Sequence, residues 1–221
     1  LRPIPTGQVS KNQALFFGIS LSIGSISLLY YSSNLMSASL LSLTICFYFF
    51  IYTVWLKRRT PQNIVIGGAA GALPPVIGWT IATGSLTIEP FILFLIIFLW
   101  TPSHFWALSI YKSNDYKKAK IPMLPIIYGI EKTKKNIFIY SLLMLPTISA
   151  PYYMSFLSKI YFYPSLALTI YYIYLCGTLL KVKKSKEVNT LARKIFLYSI
   201  FYLFVIFLLI LSDHFLMRFY G

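Results

Sequence analysis

Only five carboxylates accompany 20 Lys and Arg in this chain, so the acids are the first place to look for chemistry. Asp115 stands out. It lies in YKSNDYKKAKIPMLP, beside Asn114, Lys117 and Lys118. A carboxylate set among cations can hold Mg²⁺ against a phosphate while the cations take the remaining charge. The same residues also make an ordinary solvated loop acid paired with lysine. Glu131 and Glu187 lack such a setting, and Glu89 and Asp213 fall at the opposite ends of their helices.

A second cluster, WLKRRTPQN over residues 55–63, sets Lys57, Arg58 and Arg59 in a row. Arginine matches phosphate geometry and lysine supplies a point charge, so the row can clamp a diphosphate. Read plainly, it is also a basic cluster drawn to anionic lipid. Arg2 belongs to a segment on the same side and could join it. The third chemical residue is His104, in LWTPSHFWALSIY. Trp100, His104, Ala107 and Tyr111 follow helical spacing and share one face. An ionisable residue seven positions inside an apolar run is a functional candidate. It is equally a neutral histidine bonded to a neighbouring helix. His214, beside Asp213, reads as interfacial.

The elements that must position these residues are membrane helices. The chain is 57% hydrophobic and 11% charged, against about 25% charged in soluble domains. Runs of about 20 apolar residues span a bilayer as helices. Seven are predicted: 13–31, 35–56, 64–84, 90–111, 137–157, 160–180 and 195–212. In the third, Gly67 and Gly71, and Gly68 and Ala72, form small pairs suited to close helix approach, and Pro74 and Pro75 break the backbone. Cys46 and Cys176 sit in apolar runs without metal-ligand spacing.

The cations set orientation. Arg2 and Lys11, Lys57 to Arg59, seven lysines in 112–136 and six cations in 181–194 give 18 on one side. Lys159 and Arg218 give 2 on the other. The positive-inside rule puts the long loops and N-terminus in the cytoplasm and Gly221 outside. It also accounts for the net charge of +15 without a nucleic-acid partner, since little solvated surface is left to form a basic face. The chain is expected to be a single transmembrane domain over 1–221. It begins at Leu1 in a polar loop, which reads as a start in mid-domain.

The loops carry a family resemblance. YTVWLKRRTPQNIVIGGAAGALPPVIGW (52–79) and FLWTPSHFWALSIYKSNDYKKAKIPMLPIIYG (98–129) resemble the two signature stretches of the haem O synthases, or protohaem IX farnesyltransferases. LRPIPTG resembles the segment after that family's first acidic motif. The likeness covers most of residues 1–135; the last three spans match in hydropathy alone. These enzymes form a branch of the UbiA superfamily of intramembrane prenyltransferases. The resemblance implies an all-helical bundle of nine spans around a cavity, with two acidic motifs and Mg²⁺ holding an isoprenyl diphosphate.

Carried over by position, Asp115 is the acid of the second motif, with Asn114 beside it at the metal. Arg2, Lys57, Arg58, Arg59, Lys117 and Lys118 are the expected diphosphate contacts, and His104 with Trp100 the haem contacts. The first acidic motif is absent, which fits seven spans in place of nine and an expectation that these residues alone are catalytically incompetent. The implied reaction transfers farnesyl from farnesyl diphosphate to a vinyl group of protohaem IX (haem b), with water completing a hydroxyethylfarnesyl group. The implied setting is the bacterial inner membrane, with the lipid bilayer around the bundle and haem A synthase or oxidase assembly factors as protein partners. Two other readings stand beside it: a UbiA-type enzyme with another acceptor, such as a quinone precursor, and a small transporter subunit. A transporter should show repeated halves or several midplane charges, and neither is seen.

Overall fold

The computed structural model describes residues 3–220, so the expectations on Arg2 and Gly221 lie outside the described residues. Among these, every regular element is helical: α1 (Lys11–Ser32), α2 (Leu35–Cys46), a π-helical stretch (Phe47–Leu56), α3 (Asn63–Ala72), α4 (Pro74–Thr83), α5 (Glu89–Tyr111), α6 (Ser113–Lys118), α7 (Leu124–Ile127), α8 (Gly129–Tyr153), α9 (Lys159–Lys181) and α10 (Ser185–Tyr220). Buried apolar sequence leaves backbone groups no solvent partner, and helices satisfy them internally.

Among the described residues, six helical segments are long and apolar enough to cross a membrane: Lys11–Ser32, Leu35–Leu56, Asn63–Thr83, Glu89–Tyr111, Lys159–Lys181 and Ser185–Met217. The chain is an integral, multi-pass membrane protein. The predicted span 137–157 is the exception. It falls in α8, which has the length, 25 residues, but not the apolarity. The helix starts eight residues before the predicted span, in charged sequence, carries Pro146 and Pro151 within it, and stops at Tyr153. The predicted loop 181–194 is also corrected: from Ser185 onward it is the first turns of α10.

Two halves meet along α5. Helices α5, α8, α9 and α10 pack into a four-helix bundle, each against two of the others. One core cluster joins Trp106, Ile110, Ile137, Tyr172, Leu179 and Ile195. Another joins Ile96, Met144, Ile148, Tyr161, Tyr202 and Ile206. On the other side α3 and α4 lie against α5, the π-helical stretch packs on α3, and α1 reaches the rest through α2. No residue of α1 is buried.

The predicted break falls at Leu73, between α3 and the Pro-Pro start of α4. Of the three glycines in the paired pattern, two admit a neighbour closely. A Cβ on Gly67 would stand 2.4 Å from the Tyr52 ring, and one on Gly68 would stand 2.9 Å from Thr101, whereas Gly71 faces open space.

Asp213, read from sequence only as an acid at the far end of its helix, is 1% exposed. Its carboxylate accepts from the N–H of Ser158 at 3.0 Å, the N–H of Tyr161 at 3.2 Å and the Ser158 hydroxyl. An acid on α10 thus caps the start of α9, where free N–H groups and the helix dipole favour negative charge. At the opposite end, Lys134 is 1% exposed, pairs with Glu131 at 2.7 Å and donates to the Val182 carbonyl at 2.7 Å. That ammonium closes the other terminus of α9.

Candidate active site

The two signature stretches meet. Lys57 and Arg58 line a cavity of about 370 Å³ together with Thr53, Ala119 and Ile121. The π-helical stretch supplies the first wall. Lys57 N–H bonds the Tyr52 carbonyl at 2.8 Å, and Thr53 Oγ1 reaches back five residues to the Tyr48 carbonyl at 2.9 Å. The second wall follows α6. Lys120 adopts a positive φ of 52°, and Ile121 N–H bonds the Tyr116 carbonyl at 3.1 Å, which turns the chain back toward the basic row.

On α6, just before the second wall, Tyr116 lies within electrostatic reach of Tyr52. Burial pushes the Tyr116 phenol above its ordinary range, and the charge of Asp115 adds to the effect. It therefore stays a neutral hydroxyl at physiological pH. Arg59, Lys117 and Lys118 are exposed and outside the cavity lining.

Asp115 sits in the first turn of α6, with its side chain 66% exposed and 3.6 Å from Lys112. The lysine pairing expected of an ordinary loop acid is therefore present. Asn114, next to it, is exposed. Among the described residues no three His, Cys, Asp or Glu side chains gather as a metal site. Mg²⁺ retains several waters and is commonly held by one or two carboxylates plus substrate phosphates. The donor set at Asp115 fits that shared mode and not a closed protein cage.

His104 is 7% exposed. Its Nδ1 lies 2.6 Å from Ser199 Oγ on α10, and its ring stacks between Trp100, centroids 4.2 Å apart, and Phe196, at 4.7 Å. Trp100 Nε1 donates to the Ser199 carbonyl at 2.9 Å, and Arg193 lies over the Tyr111 ring at 5.7 Å. The face predicted from helical spacing exists, and it is the seam between α5 and α10. The neighbouring-helix bond that a structural histidine needs is made. Trp100 also borders an apolar groove of about 530 Å³, walled by Ile97, Ile200, Leu203 and Phe204.

Tyr52, Asn63 and Tyr116 were not singled out from the sequence. Asn63 had a signal, as a polar residue just before an apolar run. Tyr52 had none, because it meets Lys57 through a five-residue spacing that α-helical periodicity does not anticipate.

The fold is a membrane-embedded helical bundle, with a cavity lined by two cations where the π-helical stretch meets the turn after α6. The chain belongs to the UbiA prenyltransferase family, whose model matches residues 1–214, and it is a prenyltransferase. It is 63% identical over 213 residues to the protoheme IX farnesyltransferase of Pelagibacter ubique, covering 96% of this chain and 70% of that one. It is 47% identical to the protein of the same name from Parvibaculum lavamentivorans, over 96% of this chain and 67% of that relative. For the Bartonella henselae protein, also so named, the figures are 47%, 97% and 69%. A solved chain from a study of digeranylgeranylglyceryl phosphate synthase in membranes has a TM-score of 0.75 at 21% identity, over 96% of this chain and 73% of that one. This last likeness establishes the fold alone.

Proposed function

We propose that the protein transfers a farnesyl group from farnesyl diphosphate to a vinyl group of protohaem IX, giving haem O. The observation that carries the diphosphate half of this reading is the shared cavity, where Lys57 and Arg58 meet the turn that follows Asp115. The acceptor rests on the relatives named protoheme IX farnesyltransferase.

Lys57 and Arg58 take the charge that grows on the diphosphate as the C–O bond breaks, and such aimed charges act most strongly where water is excluded. Asp115, with Asn114 beside it, would hold Mg²⁺, and the ion when bound would supply Lewis-acid stabilisation of the leaving group's charge. The farnesyl chain lies among apolar helix faces. The vinyl group of haem b then bonds to the allylic carbon, and water adds its hydroxyl to the resulting cation and releases a proton. Trp100, bordering the apolar groove, and His104 behind it are the haem contacts of this reading. The chemistry faces the cytoplasm of a bacterial inner membrane.

The test supplies the enzyme, expressed from its whole gene in nanodiscs, with Mg²⁺, farnesyl diphosphate and an equimolar mixture of haem b and 4-hydroxybenzoate. Mass spectrometry should find haem O. Farnesylated 4-hydroxybenzoate alone would assign the acceptor to the quinone precursors instead.

A further inference from the structure

Lys57 is held at both ends of its own backbone. Its N–H donates to the Tyr52 carbonyl at 2.8 Å, and its carbonyl accepts from Asn63 Nδ2 at 3.1 Å. The first bond spans five residues, the repeat of a π-helix. That spacing brings Lys57 Nζ to 5.9 Å from the centre of the Tyr52 ring.

The second bond reaches across from the first residue of α3. Asn63 is 1% exposed, and its Oδ1 is buried with no hydrogen-bond partner. Half of a buried amide left unused is a cost that an apolar side chain would avoid. What the amide supplies in return is its grip on Lys57.

Gly67 lies four residues further along α3, on the same face. A Cβ there would stand 2.4 Å from Tyr52 Cδ2, so only glycine lets this ring lie where it does. One face of α3 thus seats both members of the π-bonded pair, Asn63 at Lys57 and Gly67 at Tyr52. A lysine side chain has four flexible bonds, and fixing its root and the ring beneath it lowers the entropy lost when it meets an anion. Resting on the reading of Lys57 as a diphosphate ligand, we propose that Asn63 and Gly67 are positioning residues that hold Lys57 at the cavity it shares with the 119–121 turn.

The test is a double-mutant cycle. The enzyme expressed from its whole gene in nanodiscs is titrated calorimetrically with farnesyl thiodiphosphate, a poorly reactive analogue, in the presence of Mg²⁺. Lys57→Met should weaken binding about tenfold, as expected for loss of a charge-assisted contact. Asn63→Ala and Gly67→Ala should each weaken it roughly fivefold, and neither should weaken it further in the Lys57→Met background. A merely structural role would not produce that loss of effect. Wild-type affinity in Lys57→Met would overturn the diphosphate reading of Lys57. A weakened Lys57→Met, with Asn63→Ala and Gly67→Ala either silent or fully additive, would overturn the positioning role alone. Should Asn63→Ala fail to fold, Gly67→Ala decides the question by the same criterion.

Discussion

Asp115 is two-thirds exposed and paired with Lys112 over 3.6 Å, so it adds little to stability. Exposed ion pairs contribute about 0–1 kcal/mol. Asp115→Asn should therefore leave thermal unfolding within about 2 °C of wild type while turnover falls at least a hundredfold, about the loss seen when one aimed electrostatic partner is removed. Unaltered farnesyl transfer would return Asp115 to the ordinary surface acids. His104 is the opposite case, buried between Trp100 and Phe196 and bonded to Ser199. His104→Ala should lower haem affinity, read by the Soret band on titration, and leave binding of the farnesyl analogue intact. If haem affinity is unchanged and only the unfolding temperature drops, its role is to join α5 to α10.

At the scale of elements, the Asp213 cap is the clearest stability device. Asp213→Ala would strand the N–H donors of half-buried Ser158 and buried Tyr161, at a cost of about 3 kcal/mol. A lowered unfolding temperature in detergent, with the affinity for farnesyl thiodiphosphate unchanged, is the expected result; an unchanged unfolding temperature would show that water replaces the cap. Sequence patterning made most helices legible, because apolar length and the cost of open backbone in lipid leave few alternatives. The Leu73 break was legible through Pro74 and Pro75, and the shared face of Trp100, His104 and Tyr111 through their spacing, but not that α10 packs on it. What escaped was non-local or off-period. The cap joins residues some 50 positions apart, the grip of Asn63 on Lys57 needs the loop to fold first, and the Tyr52–Lys57 pair depends on a π-helical repeat. The lower apolarity of α8 stands in its own composition, in its charged start and its two prolines; its packing against α5 and α9 does not.

Across the whole molecule, the cationic segments gather at one end of the bundle. Lys57 and Arg58 face Ala119 and Ile121, Lys134 reaches Val182, and Arg193 covers Tyr111. On the orientation proposed above from the positive-inside rule, this is the cytoplasmic end. Single cysteines at positions 118 and 184, in a variant without Cys46 and Cys176, should react with a membrane-impermeant maleimide only in inverted vesicles. Labelling from the periplasmic side would reverse the orientation. On the proposed reading, the 52–63 and 112–121 segments build one diphosphate site, in which Asp115 acts through Mg²⁺ and Lys57 acts directly. It is tested by titrating farnesyl thiodiphosphate into wild type, Asp115→Asn and Lys57→Met, each with Mg²⁺ and with EDTA. Mg²⁺ should strengthen binding to wild type, and Asp115→Asn should lose that strengthening. Lys57→Met should bind more weakly in both conditions while keeping its response to Mg²⁺. An undiminished Mg²⁺ response in Asp115→Asn, with Lys57→Met binding like wild type, would contradict the shared site.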